Sequence, residues 1–234
     1  MLTRDEGLVQ AVVKGARKPV SKLSAVTQPY TRAVFQLFRG RSLDRVTQVA
    51  LETSHPAIML DYGKMVYAGF LSELVSQAIP ERERNDAMFD FFDRVLTSLE
   101  QKEDPWPVAV WGALGILTRA GFGPTFGKCA ICGAEVEGPP YFSADDGGVV
   151  CPKCRSLTRT PDTLQEISGG TARTMEILAD SSGEDASCPS VNARGKVREE
   201  AGAILLQYVE SILGRRPKSA SLVESIEVEQ HPKE

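Results

Sequence analysis

Cys129-Ala-Ile-Cys132-Gly133, followed by Cys151-Pro-Lys-Cys154 with eighteen residues between Cys132 and Cys151, is the stretch on which the reading of this chain turns. Two residues between the cysteines of each pair let both sulfurs turn back on one ion. The separation of the pairs falls within the range of structural zinc sites. Gly133 follows the first pair where a tight turn favours a residue that tolerates positive φ, and Pro152 presets φ within the second. Cys129, Cys132, Cys151 and Cys154 are therefore the candidate ligands of one Zn2+ ion in a module over about residues 127–157. Four thiolates already complete a tetrahedron, so the expected metal is structural. A thioredoxin-like redox pair remains an alternative, although it calls for one Cys-x-x-Cys at a strand-to-helix junction. An extracellular disulfide framework fits less well. The chain opens Met-Leu-Thr-Arg-Asp-Glu, without an apolar signal region, and Cys188 leaves one thiol unpaired. The expected compartment is the cytoplasm.

Outward from this stretch, 234 residues with 42% hydrophobic and 25% charged content are enough for one large domain or two small ones. No run reaches the roughly eighteen apolar residues that span a bilayer, and residues 108–117 are interrupted by glycines. The net charge of −4 is unevenly spread. Residues 1–48 carry nine cations (Arg4, Lys14, Arg17, Lys18, Lys22, Arg32, Arg39, Arg41 and Arg45) against Asp5, Glu6 and Asp44, and the rest of the chain is acidic. A basic end on an acidic protein reads as a polyanion-binding surface, with a plain solvated face as the alternative.

Towards the N-terminus, Leu8-Val9-Gln10-Ala11-Val12-Val13 reads as a strand that runs into the basic loop Lys14-Gly15-Ala16-Arg17-Lys18-Pro19. Ala33, Phe35 and Leu37 alternate with Arg32, Val34 and Gln36, and Val46, Val49 and Leu51 do likewise after Gly40, which predicts a hairpin. Short strands without intervening helices suggest a small barrel or sandwich over residues 1–53. Over residues 54–234 the period changes to that of helices. Val66, Tyr67, Phe70, Leu71, Leu74, Val75 and Ala78 form one stripe. Asn85 is placed to cap a second helix carrying Met88, Phe89, Phe92, Val95, Leu96 and Leu99, and Pro105 and Pro107 open a third that ends near Gly121. Thr160-Pro161 predicts a further helix start, interrupted by Gly169-Gly170. Residues 180–190 predict a mobile loop in which Cys188 is uncommitted. A last helix runs from Val197 to a stop at Gly214, beyond which Arg215, Arg216 and Lys218 lie beside its negative end. Residues 224–234 read as a flexible acidic tail.

Catalysis finds little support. His55 precedes a proline and His231 lies in the tail, so no nucleophile has an evident histidine base. Phosphate-cradling glycine motifs are absent from the sequence.

Val12-Val13-Lys14-Gly15-Ala16-Arg17-Lys18-Pro19, the cysteine module with Tyr141-Phe142-Ser143 and Gly147-Gly148-Val149-Val150, and Leu213-Gly214-Arg215-Arg216-Pro217-Lys218-Ser219 together resemble the RecO family of bacterial DNA repair proteins. The likeness covers nearly the whole chain. It implies an α+β protein with an N-terminal OB-fold-like β-barrel and an α-helical domain that carries the inserted four-cysteine zinc module. Relatives usually carry more residues before the segment matching Leu2-Thr3-Arg4, so two readings stand open: the start was set at an internal methionine, or the barrel lacks its first strand and exposes an unpaired edge. The implied function is non-enzymatic: a recombination mediator that binds single- and double-stranded DNA and anneals strands. It works with RecR and the acidic C-terminal tail of single-strand-binding protein while RecA is loaded. On this reading Lys14, Arg17, Lys18 and Lys22 are the candidate phosphate contacts. Arg119 is the candidate cation for the partner's tail, with Arg215, Arg216 and Lys218 competing for that role. A zinc-dependent or thiol-redox enzyme, and an interaction adaptor with little DNA contact, are the competing functions.

Overall fold

The computed structural model describes residues 1–14, 26–183 and 187–230, with side chains described as far as residue 226. At the N-terminal end, β1 (Leu2–Thr3) pairs antiparallel with β2 (Gly7–Leu8). A second sheet has the order β3-β5-β4, in which β3 (Ala11–Val12) runs parallel to β5 (Asp44–Ser54), and β4 (Thr31–Phe38) runs antiparallel to it. The inner face of this ribbon carries the pairs Ala33–Leu51, Phe35–Val49 and Leu37–Val46. The step of three from Val46 to Val49 breaks strict alternation, and a bulge that skips Thr47 in the register restores it, the Thr47 hydroxyl donating instead to the Gln36 carbonyl at 3.0 Å.

Among the described residues the N-terminal strands form two separate small sheets that do not close into a barrel, so of the expected OB-fold-like barrel only an open β part is seen. The segment read as one strand splits at Val9 into β2 and β3. The Val9 side chain is buried, its amide donates to the Met1 carbonyl at 2.9 Å, and the Leu8 carbonyl accepts from Arg82 at 3.0 Å. Val9 thus extends the β1-β2 pairing through Met1, whose amino group donates back to the Val9 carbonyl at 2.8 Å, while Leu8 also reaches the helical part of the chain.

The sheet ends at Ser54, and the helices α1 (Pro56–Leu60), α2 (Tyr62–Ala78), α3 (Asp86–Gln101) and α4 (Trp106–Arg119) follow. Asn85 caps α3 as its position predicts, its side chain accepting from the Met88 amide at 2.9 Å. The centre of the molecule is α4, whose residues from Trp106 to Leu117 are all buried. Its Gly115 lets the Phe91 ring lie directly on the helix backbone, since a Cβ there would meet that ring at 2.1 Å. No described helix is long and apolar enough to cross a membrane.

The small sheet of β6 (Tyr141–Ser143), β7 (Gly148–Val150) and β8 (Gln165–Glu166), with β6 in the middle, is followed by α5 (Gly169–Asp180), α6 (Lys196–Leu213) and α7 (Ala220–Gln230). Here three expectations are corrected. Thr160-Pro161 opens only a single 3-10 turn, and Gly169-Gly170 begins α5 where a break was expected. Ser168 caps that helix, and Glu200 of α6 accepts from the Ser168 amide at 2.8 Å, a long-range partner that no local pattern announces. Cys188 is only 5% exposed and belongs to the main core, and burial pushes its thiol up to about 11. The segment read as a frayed tail is helical as far as Gln230, with Val223 and Ile226 buried; residues 231–234 lie outside the described residues.

Charge joins the sheet to the helices. Arg4 pairs with Asp90, and Arg32 reaches Asp93 at 2.7 Å. Both guanidinium groups lie over the Phe89 ring, at 5.4 and 5.9 Å from its centre.

Candidate metal centre and nucleic-acid interface

The cysteine module is built by backbone pairing. The Cys129 amide donates to the Ala134 carbonyl and the Gly133 amide to the Cys129 carbonyl, both at 2.8 Å, which folds the first pair into a tight loop. Gly133 takes φ +71°, as the sequence predicts. The second pair arrives on β7, whose Val149 and Val150 are buried, and the Ala130 amide donates to the Val149 carbonyl at 2.8 Å to dock the first loop beside it. Gly148 sits so close to the Thr125 carbonyl that a Cβ would meet it at 2.2 Å, so only glycine allows this approach.

All four Sγ atoms of Cys129, Cys132, Cys151 and Cys154 then lie within 4.8 Å of one another, with Cys132 and Cys151 4.0 Å apart. Four sulfurs at about 2.3 Å from a common centre would sit roughly 3.8 Å apart, so the donor set fits a tetrahedral ion. Around Cys129, burial alone would raise the thiol. The amides of Cys151, Cys132 and Ile131 directed at its sulfur outweigh that and hold it at about 6, the direction a thiolate ligand needs. Cys154 is driven the other way, to about 12, by burial and by its neighbouring thiols. Such crowding of sulfurs is relieved when a cation shares their charge. Three of the four are buried and Cys132 is exposed, so the donor set lies at the edge of the core within reach of one ion.

The basic N-terminal end is less basic in three dimensions than in the sequence. Arg4 and Arg32 are spent on Asp90, Glu52 and Asp93, and Arg39 contacts Glu6 at 3.1 Å. Lys14, Arg41 and Arg45 are exposed, and none has a carboxylate partner among the described residues. Of the four phosphate-contact candidates, Lys14 stands in a turn just after β3; Arg17, Lys18 and Lys22 lie outside the described residues. Arg41 and Arg45 were not singled out by the sequence reading. Their signal is the Arg39-Gly40-Arg41 turn between two alternating segments.

The candidates for a partner's tail are dispersed. Arg119 lies 3.8 Å from the centre of the buried Phe91 ring and donates to the carbonyls of Gly115 and Gly183, both at 3.1 Å. These contacts tie its guanidinium to the core. Arg216 is held by Glu224 at 2.6 Å, and Arg215 contacts only the Gln77 side-chain oxygen at 3.1 Å. Lys218 is exposed, while its backbone amide donates to Glu73 at 2.9 Å.

Comparison with known proteins bears on both halves. Residues 1–55 match the family model described as Recombination protein O N terminal, and residues 59–221 match Recombination protein O C terminal. The chain is similar to the DNA repair protein RecO of Symbiobacterium thermophilum, 34% identical over 97% of this chain and 89% of that protein. It is likewise similar to the DNA repair protein RecO of Pelotomaculum thermopropionicum, at 30% over 96% and 85%. With that of Desulforudis audaxviator it shares 36% identity over 66% of this chain and 62% of the relative.

Proposed function

The chain belongs to the RecO family of DNA repair proteins, and from that premise we propose that it acts as a non-catalytic, DNA-binding recombination mediator. In this reading it binds single- and double-stranded DNA, anneals complementary strands, and with RecR helps load RecA on strands coated with single-strand-binding protein. The observation that carries the reading is the surplus of exposed, unpartnered cations Lys14, Arg41 and Arg45 among the described residues, at the end where the sequence adds Arg17, Lys18 and Lys22. Cations in such a group neutralise phosphates and release counterions, which supplies sequence-independent affinity, and phosphate contacts position a strand without reading its bases. Annealing needs that indifference to sequence.

The cysteine cage takes a structural Zn2+ in this proposal. When bound, the ion cross-links the two loops; Cys129, Cys132, Cys151 and Cys154 hold it and leave no open position for an activated water, which disfavours a zinc-dependent enzyme. The partner's acidic tail is proposed to meet the helical part of the chain. Arg119, Arg215, Arg216 and Lys218 remain its candidates, and Arg215 and Lys218 are favoured because no carboxylate pairs with their side-chain cations among the described residues. A phenylalanine-ended acidic peptide needs a cation for its terminal carboxylate as well as an apolar groove.

The test is annealing of complementary strands coated with single-strand-binding protein. Acceleration by the protein, diminished as salt rises, is the expected result. An unchanged annealing rate, together with no salt-sensitive DNA binding, would leave the adaptor reading in its place.

A further inference from the structure

The outer face of the β3-β5-β4 sheet carries an arrangement that phosphate neutralisation alone does not require. Val12, Arg45 and Phe38 are register partners across the three strands, so their side chains share one face in a single row. All three are exposed, and Phe38 is 69% exposed. On the same strand and face, Val34 is exposed as well. A phenylalanine at this position gives the fold little: its apolar area stays largely in water, and no cation lies over its ring among the described residues.

The turn that presents it is fixed. Asp44, 1% exposed, accepts from the Gly40 amide at 3.1 Å and from Arg82 at 2.8 Å, and its own amide donates to the Gln10 carbonyl at 3.0 Å. Gly40 lies so near the Leu43 carbonyl that a Cβ would meet it at 1.9 Å. Phe38 and Arg45, at the two strand ends that flank this turn, are therefore held in a set geometry, with Arg41 in the turn itself and Lys14 just after β3. An open aromatic face flanked by unpaired cations on a rigid ribbon has the chemistry that single-stranded nucleic acid takes, with a base stacked on the ring and its phosphates on the cations. A duplex keeps its bases stacked within the helix and offers this ring nothing comparable.

We infer that this face is a single-strand platform on which Phe38 stacks a base, while Arg45 and Arg41 hold the adjoining phosphates. The inference rests on the proposed DNA-binding function and adds to it a strand preference and a specific ring.

The test uses the full chain, an oligo-dT single strand and a duplex of equal length, with affinity measured by anisotropy at several salt concentrations. Phe38→Ala and Phe38→Leu are expected to weaken single-strand binding by about 5- to 150-fold, the range of one aromatic stack, with duplex binding and the salt slope unchanged. Phe38→Trp should keep the affinity, and its fluorescence should be quenched by oligo-dT. Arg45→Ala should flatten the single-strand salt slope by about 0.7. Thermal unfolding of each variant should match the parent, because both side chains are exposed. If the parent binds DNA but Phe38→Ala binds single strands equally well, or loses single strands and duplex alike, the inference fails alone. It fails in the same way if Phe38→Ala loses only a protein partner. If the parent binds no DNA at all, the proposed function fails first and takes the inference with it.

Discussion

The guanidinium of Arg82 lies 2.8 Å from the buried carboxylate of Asp44 and joins the connection between α2 and α3 to the first residue of β5. Arg82 holds a positive φ of 58° to do so, a conformation uncommon outside glycine, and its amide also donates to the Leu8 carbonyl at 3.0 Å. Glu6 accepts from the same guanidinium at 3.2 Å. One residue of the helical half thus touches β2, the turn before it and β5.

This clamp gives stability a pH dependence with a definite sign. The Asp44 carboxyl is held below the ordinary carboxylate range, first by the hydrogen bond from Arg82 and then by the Gly40 amide. A depressed carboxyl contributes stability above its unfolded value, about pH 4, and that contribution is lost as pH falls through the folded value. Asp44→Asn should therefore unfold at a lower temperature than the parent at neutral pH, and the gap should close below about pH 4. Arg82→Ala should lower the melting temperature well beyond Arg84→Ala, whose pairing with Asp86 is exposed on both sides. Calorimetric melting as a function of pH measures both; equal melting of Arg82→Ala and Arg84→Ala would contradict the clamp.

The cysteine cage predicts one zinc per chain by elemental analysis. Binding to such a set contributes on the order of 10 kcal/mol to the folding of its module. Cys129→Ser should lose the metal and loosen the β6-β7 region, seen as faster amide exchange at Val149 and Val150, while Cys188→Ser should keep it. Metal-free protein in which Cys129→Ser melts like the parent would remove the site.

Gly115 predicts an overpacking defect. The Phe91 ring occupies the place a methyl group would take, and Arg119 and Trp111 pack on the same ring, at 3.8 and 4.8 Å from its centre. With neighbours on both sides, Phe91 has little room to withdraw. Gly115→Ala should cost about 1–3 kcal/mol in urea unfolding despite the better helix propensity of alanine. A stabilised variant would mean that the ring gives way freely.

What could be read from the sequence followed how local each cause was. Asn85, Gly133 and Gly214 act within one turn of their own backbone, so residue type and position were enough to place them. The helical stripes were legible for the same reason, though only in part on α3: Met88, Val95, Leu96 and Leu99 are buried as their period predicts, but so is Phe91, which the stripe left out, while Phe89 and Phe92 are half-buried. The failures share a distant partner. Gly169-Gly170 looks like a break until Glu200, on another helix, is seen to receive the Ser168 amide; the burial of Glu200 works against its charge, but the Thr171 hydroxyl and that amide hold its carboxyl below the usual range. Cys188 looks uncommitted because nothing nearby in sequence foretells its burial. Arg119 has the charge of a ligand-binding cation, yet much of its donor capacity goes to two carbonyls, one of them Gly183, far along the chain. The basic end was legible as composition, but which of its cations remain unpaired depended on Asp90 and Asp93 of α3.

The sequence that follows β3 supplies the last prediction, because Lys14, Arg17, Lys18 and Lys22 fall within nine residues, near enough in sequence to track one strand's backbone. If these four carry phosphate contacts, each contributes about −0.7 to the slope of log affinity against log salt for a single strand, so losing two should flatten it by roughly 1.4. Phosphate contacts do not read bases, and the loss should therefore be uniform across oligonucleotides of different sequence. Arg17→Glu combined with Lys18→Glu is expected to weaken binding in this way and to suppress annealing, with zinc content and thermal unfolding as in the parent. The change differs from that expected of Phe38→Ala, which lowers affinity without altering the slope, so the two sets of variants separate charge neutralisation from stacking on one protein. An unaltered slope in the double variant would take Arg17 and Lys18 out of the DNA contact and leave the phosphates to Arg41 and Arg45.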